Sequence, residues 1–209
     1  MTDGRDYEPS LIEWASAGMA LGGHDNESGD LHLIARFPDG VLAAVMDGLG
    51  HGPEAALAAT QAARILEASA GEPVAALVER CHDGLRRTRG VVMSVASFTA
   101  RDSSMAWIGV GNVETVLLRA DPWASRRREA ISGRGGVVGY RLPPLRAAAL
   151  PVSRGDTLIM ATDGIQAEFT SAVSSAPTPR ELADSIMTQH CKGSDDALVL
   201  VVRYVGSTP

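Results

Sequence analysis

Apolar residues along this chain fall into two rhythms. Short runs rich in Val, Ile, Leu, Met and Ala recur as LHLIARF, VLAAVM, VVMSVASFTA, MAWIGV, VETVLLRA, DTLIMAT and ALVLVVRYV, which predicts a series of strands. Three other segments read as helices: residues 53–69 opened by Pro53, residues 73–89 opened by Pro73, and residues 178–190, where Thr178 and Glu181 have the spacing of a capping box. Turn signals at Pro38-Asp39-Gly40 and Gly111-Asn112 join neighbouring strands, so strands come in hairpins and helices in blocks. That order predicts an α+β layered sandwich rather than a doubly wound parallel sheet, which needs strict alternation of strand and helix. Residues 120–150 follow neither rhythm. Their glycines lack the spacing of a dinucleotide fingerprint, which leaves either a flexible loop or one that borders an active site.

Composition narrows the picture. With 209 residues, 45% of them hydrophobic, the chain can bury one substantial core, and a single domain over residues 1–209 is expected. A net charge of -6 argues against a nucleic-acid partner, and the basic runs Arg86-Arg87 and Arg126-Arg127-Arg128 read as solvated faces or loop charge. Cys81 and Cys191 have neither metal-type nor disulfide-framework spacing. The acidic, polar start MTDGRDYEPS is no secretory signal, and the apolar runs are too short to span a bilayer, so the expectation is a cytoplasmic protein with no membrane partner.

The candidate chemistry lies where strands end. In AVMDGLGHGPEAALAA an apolar run stops at Asp47-Gly48, and DTLIMAT stops the same way at Asp163-Gly164. If the hairpin at Pro38-Asp39-Gly40 turns between residues 38 and 39, Asp30 faces Asp47 across it; a bulge at Gly40 would shift this by one position. Ser194-Asp195-Asp196 stands just before ALVLVV. With suitable strand directions all these carboxylates gather at one sheet edge. Acids so crowded, with no lysine nearby, resist ionisation unless a cation neutralises them, and oxygen-only ligands select magnesium, manganese or calcium over zinc or copper. Gly48 would let its backbone carbonyl reach a metal, while Gly50 and Gly52 would leave room for substrate. DNESGD at 25–30 is not an EF-hand, since Asp30 and Arg36 occupy the positions that need Gly and Glu. No P-loop is present for a nucleotide hydrolase.

SGD at 28–30, DGLGHG at 47–52, ATDGI at 161–165 and SDDALVLVV at 194–202, in that order, resemble the metal-dependent PPM-type Ser/Thr protein phosphatases, in the bacterial branch that includes the SpoIIE phosphatase domain. The likeness covers about residues 16–205 and is strongest to the small stand-alone phosphatases of the stressosome, through ERCHDGLRRTRGVVMSV, GVGNV and ISG. It implies two antiparallel β-sheets flanked by helices, with a two-metal centre at one end. By the same likeness, Asp47 bridges two manganese or magnesium ions, Gly48 offers its carbonyl, Asp163 and Asp195 complete the metal shells, and Asp30 holds metal-bound water. Asp196 is the alternative to Asp195. The implied reaction is in-line attack of a metal-activated water on a phosphate monoester, without a phosphoenzyme. His51 is either a general acid or a residue of loop structure or substrate contact, because it stands four positions beyond Asp47 where larger relatives place a histidine directly after the Asp-Gly pair. No arginine stands ahead of the first acidic motif in GGHDNESGD to hold phosphate. The implied substrates are phosphorylated stressosome proteins of the RsbS and RsbR type. The rival reading is a docking module of the same fold that has lost its chemistry.

Overall fold

The computed structural model describes residues 11–22 and 27–206. Its strands are β1 (Ile12–Met19), β2 (Asp30–Phe37), β3 (Gly40–Gly48), β4 (Val91–Thr99), β5 (Ser104–Val110), β6 (Glu114–Leu118), β7 (Arg128–Ala130), β8 (Ala148–Pro151), β9 (Thr157–Ala161) and β10 (Ala197–Tyr204). The helices are α1 (Pro53–Ala68), α2 (Val74–Gly84), the single turn α3 (Phe169–Ala172) and α4 (Pro179–His190). One sheet has the order β1-β10-β9-β6-β7 and the other β2-β3-β4-β5-β8, and every pairing is antiparallel.

Three apolar layers hold the sheets and helices together. Val41, Ala43, Val45, Phe98 and Trp107 of one sheet meet Leu158, Met160, Leu198 and Leu200 of the other between the sheets. The opposite faces of the same strands are buried too: Leu42, Ala44 and Met46 pack on Ala58, Ala62 and Leu66 of α1, and Ile159, Val199 and Val201 pack on Leu182 and Ile186 of α4. This is why β3 and β10 read as unbroken apolar runs rather than as alternating ones. At roughly 25 cal/mol per Å² of apolar surface removed from water, such double-faced burial supplies most of the drive for assembly.

The β2–β3 hairpin has the register expected, with Phe37 opposite Gly40 and Asp30 opposite Asp47. The capping box forms: the Thr178 hydroxyl accepts the Glu181 amide at 3.3 Å, and Glu181 accepts the Thr178 amide at 2.9 Å. Three expectations need correction. Gly111-Asn112 is not a hairpin turn; it carries the chain from β5 in one sheet to β6 in the other. The second helix stops at Gly84 instead of continuing to residue 89. There Leu85 to Gly90 turn back, with the Thr88 hydroxyl donating to the Leu85 carbonyl at 2.8 Å and accepting the Gly90 amide at 3.0 Å. Residues 120–150 are not wholly irregular, since they hold β7 and β8 and a bridge from Val138 to Val91. Among the described residues no helix is long and apolar enough to cross a membrane.

Candidate active site

The acids converge at one end of the sandwich, but from two sheets rather than along one sheet edge. Asp30 and Asp47 come from β2 and β3; Asp163 follows β9 and Asp195-Asp196 precede β10 in the opposite sheet. The sheets are tied together here, because the Thr162 hydroxyl donates to Asp30 Oδ2 at 2.6 Å and accepts the Leu198 amide at 2.8 Å. Asn112, at the crossing between sheets, donates its side-chain amide to Asp163 Oδ2 at 2.9 Å. Neither Thr162 nor Asn112 stands out in sequence, since a hydroxyl and an amide beside turns are ordinary there.

Asp195 and Asp196 have different surroundings. Asp196 is buried, and its two oxygens accept the backbone amides of Leu21 and Gly29, each at 2.7 Å. It thus fastens the end of β1 and the approach to β2 onto the site. Asp195 is exposed, and one of its oxygens accepts the Asp196 amide at 2.9 Å. Of the two acids it is the one with a carboxylate facing outward.

Burial and mutual repulsion set the electrostatics. Asp47 is pushed up to about 8, first by burial and then by Asp30, Asp163, Asp195 and Asp196. Asp30 is pushed up to about 7 by burial and by the charges of Asp196, Asp163 and Asp195, with the Thr162 hydrogen bond opposing the rise. Among the described residues neither acid is in an ion pair. A buried acid, Asp30, facing a half-buried one, Asp47, without a counter-cation and ringed by further carboxylates, is chemically suited to a hard divalent ion. As placed, no three His, Cys, Asp or Glu side chains among the described residues close around one point. The acids share a field without forming a finished cage.

Lysine is not absent from this end, as sequence had suggested: Lys192 Nζ donates to the Asp163 carbonyl at 2.6 Å. Packing also requires glycine at position 48. A Cβ there would stand 2.2 Å from the Ala55 carbonyl oxygen, so Gly48 lets α1 lie directly against the strand end. Gly164 serves the same purpose opposite Asp196, where a Cβ would meet the backbone oxygen at 2.0 Å. The Gly48 carbonyl faces Gly29, the residue that Asp196 anchors. His51 is exposed and lines a cleft of about 560 Å³ with Leu21, Glu27, Gly52, Pro53 and Asp196. His24 and the stretch 23–26 lie outside the described residues.

Comparison with known proteins agrees with this architecture. Residues 38–205 match the family model for stage II sporulation protein E, SpoIIE. The phosphoserine phosphatase RsbX of Bacillus subtilis (strain 168) is 23% identical over 169 residues, which span 80% of this chain and 83% of RsbX. A protein solved in a study of the bacterial stressosome as a modular system adapted to control secondary messenger signaling superposes with a TM-score of 0.81 and 31% identity, covering 92% of this chain and 99% of that one. Crystalline RsbX in complex with magnesium superposes equally well, with a TM-score of 0.81 at 20% identity over 92% of this chain and 94% of its own. With the family model spanning most of the sequence and the strand ends carrying the acids, the chain belongs to the SpoIIE family of PPM-type Ser/Thr protein phosphatases.

Proposed function

We propose that this chain is a divalent-cation-dependent phosphatase that removes phosphate from phosphoserine and phosphothreonine of stressosome proteins of the RsbS and RsbR type, resetting a bacterial stress signal in the cytoplasm. The observation that carries the reading is the meeting of Asp30 and Asp47 with Asp163 and Asp195 from the opposite sheet, with Asp30 buried, Asp47 half-buried, and both held above the ordinary carboxylate range without a cationic partner. The magnesium found with RsbX supports the choice of ion, and manganese has the same preference for oxygen.

In this reading Asp47, Asp163, Asp195 and the Gly48 carbonyl hold magnesium or manganese, two ions in all, with Asp30 beside them. When bound, such ions neutralise the acids, polarise the phosphate and activate water for in-line displacement. The chain's own residues set the stage. Thr162 fixes the rotamer of Asp30, Asn112 fixes that of Asp163, and Asp196 holds the segment before β2 in place so that Asp30 stays opposite Asp47. His51, which lines the cleft together with Asp196, would contact the substrate there.

The test is manganese-dependent release of phosphate from a phosphoserine protein by the wild-type chain and by Asp47→Asn. The expected outcome is loss of at least ~10³-fold in rate in the variant and on chelation, the scale seen when a preorganised electrostatic group is removed. Equal rates for the two chains would reject the enzyme in favour of a docking module.

A further inference from the structure

The basic run Arg126-Arg127-Arg128 has no part in the site above, and beside it stands the most exposed large apolar residue among the described residues. Trp123 is 90% exposed, whereas Trp107 is buried and Trp14 packs against His32. The loop is ordered around its own hydrogen bonds. Trp123 N donates to Asp121 Oδ1 at 2.9 Å, Ala124 N to the Asp121 carbonyl at 3.2 Å, and Arg119 N to the Arg127 carbonyl at 2.9 Å. Tryptophan, with a large apolar ring and a polar N–H, is enriched at contact surfaces.

The arginines divide by role. Arg119 is paired with Glu129 and Asp156, and Arg128 donates to the Ser171 and Val173 carbonyls at 2.8 and 2.5 Å, so both serve the fold. Arg126 and Arg127 are exposed and in no ion pair among the described residues. A cavity of about 290 Å³, lined by Arg119, Arg127, Arg128, Leu118 and Val173, opens beside them. Asp121, the acid of this turn, accepts the Trp123 amide, and its single charge is outnumbered by those of Arg126, Arg127 and Arg128. On a chain of net charge -6, this is a local surplus of positive charge next to an aromatic ring.

We propose that Trp123, Arg126 and Arg127 form a docking face for an acidic segment of a protein partner. The partner is the phosphoprotein substrate, so the inference rests on the function proposed above. Guanidinium groups take carboxylates in paired hydrogen bonds, and a tryptophan beside them adds an anchor of the kind that dominates interface energies. Two free arginines are too few for an anionic membrane, which recruits clusters of four to eight basic residues. The face lies away from the acids. Glu114 pairs with Ala161 near Asp163, whereas Leu118, just before the loop, pairs with Thr157, four residues or roughly 13 Å further along the sheet. Recognition and chemistry are thereby placed on separate parts of the molecule.

The test compares wild type, Trp123→Ala and Arg126→Glu/Arg127→Glu on p-nitrophenyl phosphate and on phosphorylated casein, an acidic phosphoserine protein. Titration of a labelled hexaglutamate peptide and of phosphatidylserine vesicles reads binding without turnover. We expect p-nitrophenyl phosphate rates within twofold of wild type in both variants, a tenfold or greater rise in KM for casein with kcat nearly unchanged, and salt-sensitive peptide binding lost in the charge-reversed variant. Unchanged KM with unchanged peptide binding would overturn the proposal, as would binding to vesicles but not to the peptide. A wild-type chain inert on both substrates would defeat the phosphatase reading instead, and the peptide titration would still decide the docking face.

Discussion

At the end of the sandwich where β3 and β9 run out, the chain stops in Asp47 and Asp163; where β6 turns back into β7, it carries Trp123, Arg126 and Arg127. The strands between are alike, apolar on both faces and buried on both. Their interiors answer only to packing and would serve any chemistry. The ends differ in how tightly they are held. At the acid end Asp196, Thr162 and Asn112 lock backbone and carboxylates from both sheets together, and burial and the neighbouring acids raise the cost of ionising Asp30 and Asp47. At the basic end one turn presents its side chains to water. A site that must hold charge against repulsion needs such fastening, while a face that receives a partner does not.

The sharpest way to break this comparison is to separate the neighbouring acids. Asp195→Ala should abolish phosphatase turnover, by about 10² to 10³-fold, and leave the melting temperature nearly unchanged, because its carboxylate faces outward. Asp196→Ala should instead destabilise the chain by about 1–3 kcal/mol, since the buried Gly29 amide loses its acceptor. Kinetics and thermal melts of the two variants decide it; the reverse pattern would exchange their roles.

A smaller effect concerns pH. Asp30 and Asp47 keep their protons to about 7 and about 8 in the folded chain, against an ordinary value of 3.8. Between those values the folded state binds more protons than the unfolded one, so the stability of the ion-free protein falls as pH rises from about 4 toward 8. Melting in chelator from pH 5 to 9 should therefore show a steeper decline for wild type than for Asp47→Asn. Added magnesium should restore the wild type most at the alkaline end. Parallel curves for the two proteins would mean that the acids are not coupled as described.

The part of this account legible in sequence is the part set by local rules. Pro38-Asp39 fixes a tight turn, and from it the meeting of Asp30 and Asp47 follows by counting. Thr178 and Glu181 announce the start of α4. The strand β1 escaped notice because IEWASAGM is rich in small and polar residues and sits at a sheet edge, where one pairing partner, β10, suffices to order it. The division of acids between two sheets was hidden because Gly111-Asn112 looks like a hairpin turn whether or not the chain crosses over. Adjacent residues leading into a strand point to opposite sides, so one of Asp195 and Asp196 had to turn inward; only the amides of Leu21 and Gly29, far off in sequence, determine which.

Anomalous diffraction from crystals grown with manganese tests the central claim most directly. Ion density is expected within about 2.1 Å of oxygens from Asp47, Asp163 and Asp195, at the end of the sandwich where the two sheets are pinned by Thr162. Well-ordered crystals with manganese bound elsewhere, and none among these three side chains, would contradict it.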